Sequence, residues 1–268
     1  MIIRTLAALA LSATMAAPAL AQTILGGAQA MPAEVRLHSG WAEPDGRRIV
    51  GLRVDLEPGW KTYWRSPGAA GIPPHFDWSG SRNVADVNIV FPRPEVFQSF
   101  GMRTIGYSNQ MILPIAVTVE NPNRPLRLRL SLSYGLCEEI CIPAQADLAL
   151  DIMPGENADG AEVIQAALSE APTPAAAAGM RTDACELMPT ESAFEARIAF
   201  DDPPVAAPVV VAEGEGAYFG EMNASIEDGA LVARGEMRMA EDWIDRSALR
   251  LTVLANDGTY ISATCAPG

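Results

Sequence analysis

The most informative segment for the fold of this chain is LRLRLSLSYGLCEEICIPAQADLALDI, residues 126–152. From Leu126 to Tyr134 an apolar side chain occupies every second position, with arginine or serine between, and the alternation resumes at Leu148. A period of two is typical of β-strands with one buried face. The sequence therefore predicts two consecutive antiparallel strands, with Cys137 and Cys141 at or near the solvent-accessible connection between them.

Similar alternation extends over much of the remaining chain. It occurs upstream at residues 50–56 and 111–117, and downstream in short runs between residues 196 and 263. Between these blocks, Asp159 can cap a short helix, and Ala175–Gly179 is typical of a linker. No strand-helix-strand pattern surrounds the cysteines, which argues against a thioredoxin fold. We expect an all-β chain with one sandwich domain at residues 22–153, a short helix and linker at 154–180, and a second sandwich at 181–268.

The N-terminal segment has the pattern of a secretory signal peptide. Arg4 precedes an apolar run, and Ala19-Leu20-Ala21 supplies the small residues of a cleavage site. The apolar run is too short to span a bilayer. We therefore expect residues 1–21 to be removed after export. The chain has 19 Lys and Arg against 33 Asp and Glu, so nucleic acid is not expected as a partner, and we expect a monomer.

The four cysteines divide into two pairs by their position in the chain. Three pairings are possible, but Cys137 and Cys141 lie close together, whereas Cys185 opens the second block and Cys265 closes it. A bond between Cys185 and Cys265 would stabilise by about 4 to 5 kcal/mol, and one between Cys137 and Cys141 by only about 2. We expect the long bond to be structural and the short one to be accessible and suited to exchange.

The spacing of Cys137 and Cys141 by itself leaves other uses open. A local disulfide that staples a hairpin fits it as well as a redox-active pair does. Copper(I) bound by the two thiolates and some of the 11 Met is a weaker alternative. Zinc is disfavoured because His38 and His75 lie far from ligand spacing, and no metal or other cofactor is expected.

Two further groups of side chains bear on the site. Glu138 and Glu139 lie between the cysteines, and their negative charge should raise the thiol pKa values, so that exchange depends on a docked partner. Aromatic residues cluster in a Gly- and Pro-rich stretch upstream, and we interpret them as core or loop packing rather than a ligand platform. They are Trp60, Tyr63, Trp64 and Trp78.

Five motifs in order carry a resemblance to a known family. They are GWKTYWRSPG at 59–68, GIPPHFDWSGS at 71–81, IGY at 105–107, LP at 113–114 and CEEICIP at 137–143. Together, from about Gly40 to Ile152, they resemble the N-terminal periplasmic domain of the DsbD and ScsB thiol:disulfide reductases. The resemblance implies an immunoglobulin-like sandwich in the periplasm, in which Cys141 forms mixed disulfides and Cys137 resolves them.

The same resemblance implies an aromatic cap loop that shields the cysteine pair. It would fall at residues 97–101, with Phe100 as the shielding side chain and Phe97 as the alternate. Both side chains also fit the sandwich core, which is the interpretation we favour for Phe97. The second block is similar in layout to the second extracytoplasmic domain of the ScsB-like branch.

The chain departs from the complete reductases, which continue into a membrane domain and a thioredoxin-like domain. Because the sequence ends at Gly268, we expect the electron donor to be a separate membrane protein. The acceptors would be periplasmic thioredoxin-like or disulfide-containing proteins. The leading hypothesis is a thiol:disulfide interchange protein, and the main alternative is a binding or scaffold module with two structural disulfides.

Overall fold

Almost all of the described chain is β-strand, as the alternation predicts. The computed structural model describes residues 31–268 except 69, 100, 157–158, 190–192, 201–207, 215–216, 220–221, 240–248, 259, 265 and 268, and these residues form one compact unit. For residues 99, 181–185, 189, 193, 217–219, 237–239 and 266–267, only the backbone is described.

The described elements are twenty strands, one α-helix and one 3-10 helix. The strands of the first half are β1 (Ala33–Ala42), β2 (Arg48–Leu56), β3 (Lys61–Tyr63), β4 (His75–Asp77), β5 (Asp86–Ile89), β6 (Glu95–Ser99), β7 (Met102–Ser108), β8 (Gln110–Thr118), β9 (Leu126–Cys137) and β10 (Cys141–Ile152). Helix α1 (Ala161–Ser169), strand β11 (Thr173–Pro174) and the 3-10 helix (Ala175–Ala178) follow. The remaining strands are β12 (Met180–Pro189), β13 (Ala193–Phe200), β14 (Val209–Glu213), β15 (Ala217–Phe219), β16 (Asn223–Glu227), β17 (Ala230–Met239), β18 (Arg250–Leu254), β19 (Tyr260–Thr264) and β20 (Ala266–Pro267).

Strands β1–β10 form the first sandwich. One sheet has the order β1-β2-β8-β5, and the other has the order β10-β9-β3-β7-β6, with β4 added on β9. The even-numbered side chains of β9, from Leu126 to Leu136, are buried between the sheets, so the odd-numbered ones lie on the outer face. By this alternation, the side chain of Cys137 lies on the outer face of the sheet.

Strands β11–β20 form the second sandwich. Its sheets have the orders β11-β19-β18-β14 and β15-β17-β13-β12-β20, with β16 paired to β17. A separate core of small and aliphatic side chains lies inside it, centred on Ala196, Ile198, Leu231 and Val253, all of them fully buried. The predicted all-β fold with two sandwiches is confirmed.

The segment between the sandwiches differs in detail from the prediction. Helix α1 begins after Gly160, and Asp159 does not cap it, because the Asp159 carboxylate accepts a hydrogen bond of 2.9 Å from Ser39 Oγ. Ile164 anchors the helix against Gly51 of β2, where an added Cβ would lie 2.7 Å from Ile164 Cγ1. The stretch expected to be linker contains the 3-10 helix, whose Ala175 is buried in the second core. Within the described residues, no helix is long and apolar enough to cross a membrane.

Candidate functional site

Cys137 and Cys141 form a disulfide that closes the long hairpin of β9 and β10. The two strands pair in unbroken register from Leu126 opposite Ile152 to Cys137 opposite Cys141, and the cysteine Cα atoms are 4.1 Å apart. The short connection of residues 138–140 is exposed, and Ile140 at its end is 76% exposed. The prediction that the pair lies at a solvent-accessible connection is confirmed.

The two sulfur-bearing residues differ in exposure. Cys137 is only 8% exposed, whereas Cys141 is exposed. Cys137 is flanked on both sides, because Lys61 of β3 lies opposite it on the edge away from Cys141. Cys141 belongs to β10, the end strand of its sheet. An incoming group can therefore reach Cys141 more easily than Cys137.

The hydroxyl of Tyr63 contacts the exposed cysteine. Tyr63 Oη lies 2.8 Å from Cys141 Sγ, and because a disulfide sulfur carries no hydrogen, the tyrosine is the donor. Tyr63 is only 4% exposed, and this burial raises the pKa of its phenol above the usual 10.0. The hydroxyl therefore keeps its proton, and its capacity to donate, throughout the neutral pH range.

Glycines make room for the Tyr63 ring on the outer face of the sheet. An added Cβ at Gly135 of β9 would lie 2.7 Å from Tyr63 Cδ2, and one at Gly71 would lie 3.0 Å from Tyr63 Cδ1. Ile72 also contacts Gly135, within 2.7 Å of the same added atom. The ring thus lies between strand β9 and the loop that follows β3, and this packing directs its hydroxyl to the sulfur.

Sequence reasoning missed the role of Tyr63 by assigning its aromatic cluster to packing alone. Trp64 fits that assignment, since it is fully buried in the first core. The available signal was Gly135, because a glycine inside an otherwise alternating strand often marks the close approach of another group. Thr62 strengthens this region, since its Oγ1 donates a hydrogen bond of 2.9 Å to the Gly135 carbonyl.

The described residues of the predicted cap region, 97–99 and 101, belong to the hairpin of β6 and β7. Phe100 lies outside the described residues, while Phe97 pairs with Thr104 across the hairpin. Phe97 is half-buried, and Lys61 Nζ lies 4.7 Å from the centre of its ring. Among the described residues, the first core does not include Phe97, in contrast to the core interpretation. Since Lys61 lies opposite Cys137, this cation–π contact connects the hairpin to the cysteine pair.

Charges of both signs lie beside the cysteine pair, because Lys61 is the neighbour of Cys137 across the sheet and two glutamates separate the cysteines in the chain. Glu138 and Glu139 are both exposed in the connection between the cysteines. Glu138 turns toward Gly59, where an added Cβ would lie 2.9 Å from Glu138 Oε1. The described residues contain no group of three or more His, Cys, Asp or Glu side chains that could hold a metal ion.

The predicted bond between Cys185 and Cys265 falls largely outside the described residues. Cys265 is not described, and Cys185 is described in its backbone only, on β12. The next residues along the chain, Glu186 and Ala266, are partners in the parallel pairing of β12 with β20. The bond stays a prediction.

Comparison with known proteins identifies the first sandwich. A family model described as "Thiol:disulfide interchange protein DsbD, N-terminal" matches residues 27–152. The crystal structure of the N-terminal periplasmic domain of ScsB from Proteus mirabilis matches with a TM-score of 0.66 and 22% sequence identity, over 88% of this chain and 94% of that one. At this identity the match shows the fold, which it extends to both sandwiches.

Two other comparisons add less. The N-terminal domain of Neisseria meningitidis DsbD, in its reduced form, has a TM-score of 0.28 and 16% identity, over 44% of this chain and 83% of that one. This TM-score is too low to indicate a shared fold by itself. No curated protein matches the chain in sequence.

Proposed function

Residues 27–152 belong to the family of DsbD N-terminal domains and form a thiol:disulfide interchange module, and from this premise we propose that the chain relays electrons through Cys137 and Cys141. The electrons would come from a membrane reductant and pass to oxidised periplasmic proteins. The observation that carries the proposal is the asymmetry of the disulfide, in which the sulfur of exposed Cys141 is in contact with Tyr63 and Cys137 is buried behind it.

The first half of the relay reduces the disulfide. A thiolate of the donor attacks Cys141 Sγ, the bond between Cys137 and Cys141 breaks, and Cys137 leaves as a thiolate. A second thiolate of the donor then attacks its own sulfur in the mixed disulfide and releases Cys141. The donor ends as a disulfide, and this chain has gained two electrons and holds two thiols after protonation.

The second half passes the electrons on. The Cys141 thiolate attacks a disulfide of the acceptor, and a mixed disulfide forms as one acceptor sulfur leaves. Cys137 then attacks Cys141 Sγ, which restores the bond of the hairpin and releases the acceptor as a dithiol. The short separation of the two cysteines, 4.1 Å between Cα atoms, supports a fast resolving step.

Tyr63 acts on the reactive sulfur in both directions. Its hydroxyl is positioned to donate to Cys141 Sγ, and a hydrogen bond to a thiolate favours the charged form. When Cys141 leaves a mixed disulfide as a thiolate, the same bond stabilises the leaving group. Glu138 and Glu139 oppose this effect through their negative charge.

The relatives support a proposal for the location and the partners. The ScsB domain is described as periplasmic, and we propose the same compartment for this chain after removal of residues 1–21. We propose a separate membrane protein as the source of electrons. Thioredoxin-like proteins suit the acceptor role, because their active sites present an accessible cysteine pair to a partner sulfur.

Trapping of mixed disulfides tests the relay. In Cys137→Ser the resolving sulfur is missing, so we expect Cys141 to accumulate covalent adducts with a purified, oxidised thioredoxin-like protein, which reducing agent releases. Cys141→Ser is the matched control and should give far fewer adducts because its remaining thiol is buried. If Cys137→Ser gave no adduct, or the two variants gave equal amounts, the assignment of Cys141 as the exchanging sulfur would be wrong.

A further inference from the structure

An ion pair joins the two sandwiches immediately after the strand that carries Tyr63. Arg65 Nε donates to Glu213 Oε1 at 2.9 Å, and Arg65 Nη2 donates to Glu213 Oε2 at 2.9 Å, so the contact is bidentate. Arg65 Nη2 also lies 3.2 Å from Thr252 Oγ1. Glu213 and Thr252 belong to β14 and β18 of the second sandwich, whereas Arg65 belongs to the first.

This ion pair is shielded from solvent. The Arg65 and Glu213 side chains are 18% and 20% exposed, whereas those of the Arg234–Glu227 pair in the second sandwich are 49% and 40% exposed. The Arg65 guanidinium stacks on the Trp64 ring, 4.0 Å from its centre, and lies 5.4 Å from the centre of Phe91. A planar guanidinium held between aromatic rings and a carboxylate has one preferred position, which makes it a rigid connection.

Other contacts surround the ion pair. Tyr260 of β19 donates a hydrogen bond of 2.8 Å to the carbonyl of Phe91, and Arg93 Nη2 donates to the carbonyl of Ala255. Leu254 and Tyr260, although they lie on strands of the second sandwich, pack into the hydrophobic core of the first. The two sandwiches therefore meet through a built interface of apolar and polar contacts at this point.

The interface and the redox site share one short segment. Tyr63, Trp64 and Arg65 are consecutive: Tyr63 contacts Cys141 on the outer face, Trp64 fills the core, and Arg65 binds the second sandwich. The loop that holds the Tyr63 ring in place begins directly after Arg65. A displacement of Arg65 would therefore be transmitted to the ring through at most two residues of backbone.

We propose that Glu213 of the second sandwich is a positioning residue for the redox site: by holding Arg65 it fixes the start of the loop over Tyr63, and so keeps the Tyr63 hydroxyl on the Cys141 sulfur. The second sandwich then has a role in the chemistry besides its contribution to the fold. This inference rests on the proposed function, since it concerns the same cysteine pair, but it makes a separate claim about geometry.

The test compares Glu213→Gln with a matched control in the same sandwich. Glutamine keeps the size of the side chain and removes its charge. Glu227→Gln removes a carboxylate of the same kind, which makes a bidentate contact to Arg234 at 2.7 and 3.1 Å on the exposed surface, remote in sequence from the redox site. Both changes are made in the Cys137→Ser background, in which Cys141 cannot form a disulfide with residue 137 and its thiol is free for the measurement. Glu138 and Glu139 are kept.

The readout is the pH midpoint for alkylation of Cys141 by iodoacetamide, which measures how strongly the surroundings stabilise the thiolate. We expect Tyr63→Phe to raise the midpoint by about one unit, as loss of a hydrogen bond to a charged group predicts. Glu213→Gln should raise it by about half a unit or more in the same direction, and Glu227→Gln should leave it unchanged. In Tyr63→Phe, adding Glu213→Gln should have no further effect, because both changes remove the same contact.

Each outcome decides between positioning and simple structural support. If Glu213→Gln lowers the melting temperature but leaves the alkylation midpoint where Glu227→Gln leaves it, the positioning role is wrong. If Glu213→Gln does not fold, Glu213→Asp, which keeps the charge at a shorter reach, replaces it, and an unchanged midpoint there would also overturn the inference. Absence of mixed disulfides in the trapping experiment would instead contradict the relay, whatever the midpoints show.

Discussion

The Tyr63 hydroxyl and the Cys141 sulfur lie 2.8 Å apart although 78 residues separate them in the chain and strand β9 lies between their strands in the sheet. The contact forms because Gly135 of β9 lacks a side chain where the tyrosine ring crosses. The contact is thus built from three strands: a hydrogen-bond donor on β3, a glycine without a side chain on β9 and the sulfur of Cys141 on β10.

Removal of the Tyr63 hydroxyl should slow exchange at neutral pH. With the Cys141 pKa about one unit higher in Tyr63→Phe, the thiolate fraction falls about tenfold, but the more basic thiolate is about threefold more nucleophilic, so the net rate falls about threefold. Stopped-flow measurement of the reduced protein with oxidised glutathione checks this. Tyr107→Phe is the control, because the buried Tyr107 hydroxyl donates to the Pro92 carbonyl and not to a sulfur. Equal rates in the parent and Tyr63→Phe would contradict the assigned contact.

The effect of Tyr63→Phe should reverse at high pH. The phenol of Tyr63 has a raised pKa, so it still donates its hydrogen bond where the thiol is already ionised. At a pH above the Cys141 pKa of both the parent and Tyr63→Phe, Cys141 is fully ionised in the two proteins. The thiolate of Tyr63→Phe, which lacks the hydrogen bond from Tyr63 and is more nucleophilic, should then react about threefold faster than that of the parent. The rate profiles of the two proteins should therefore cross, and parallel profiles up to about pH 10 would be inconsistent with a hydrogen bond to the thiolate.

A methyl group at Gly135 should disturb both stability and the site. In Gly135→Ala the new Cβ would lie 2.7 Å from both Tyr63 Cδ2 and Ile72 Cβ, and relief of this overlap should cost about 1 to 3 kcal/mol. Urea unfolding measures the loss, and the alkylation midpoint of Cys141 should rise as the ring shifts. At Gly80 the added atom would be 3.1 Å from Arg129 Cβ, a milder overlap than at Gly135 and one that does not involve Tyr63, so Gly80→Ala should cost less and leave the midpoint unchanged. A midpoint that moved equally in both variants would argue against a specific effect on Tyr63.

The two predicted disulfides should differ in their contribution to stability. Replacement of Cys137 and Cys141 by alanine should lower the free energy of unfolding by about 2 kcal/mol, and replacement of Cys185 and Cys265 by about 4 to 5, because the second bond closes a much longer loop. Urea unfolding of the oxidised proteins measures both. A larger loss for the short bond would support a structural staple in the hairpin instead of an exchange site.

Neutralising the acidic residues beside the sulfurs should have the opposite effect to Tyr63→Phe. Glu138→Gln combined with Glu139→Gln removes two nearby negative charges, so we expect the alkylation midpoint of Cys141 to fall by about half a unit at low salt, and less at high salt. Asp147→Asn, further along β10 on its exposed side, is the control. A midpoint that rises, or one that is insensitive to salt, would show that these carboxylates do not act through their charge.

Local patterns in the sequence predicted much of the fold. The alternation from Leu126 to Leu136 is a property of one strand, and it correctly assigned both the buried face and the exposed connection that bears the cysteines. Helix α1 shows the limit of such signals, because Asp159 has the spacing of a cap but binds Ser39 of β1 instead. A capping pattern predicts that the carboxylate binds the backbone of the adjacent helix. The Asp159 carboxylate instead accepts a hydrogen bond from Ser39, which lies 120 positions away in the chain.

The strand pattern, the faces of the sheets and the hairpin that brings Cys137 and Cys141 together follow from the amino-acid order alone, because each depends on the period of two and on neighbours in the chain. The side chains that surround the sulfur, in contrast, are set by how the folded chain packs. The contacts of Tyr63 with Cys141 and of Arg65 with Glu213 depend on the order of strands across the sheets and on the docking of one sandwich against the other. Strand order and docking produce no periodic pattern in the sequence, because each is set by contacts between residues that are far apart in the chain.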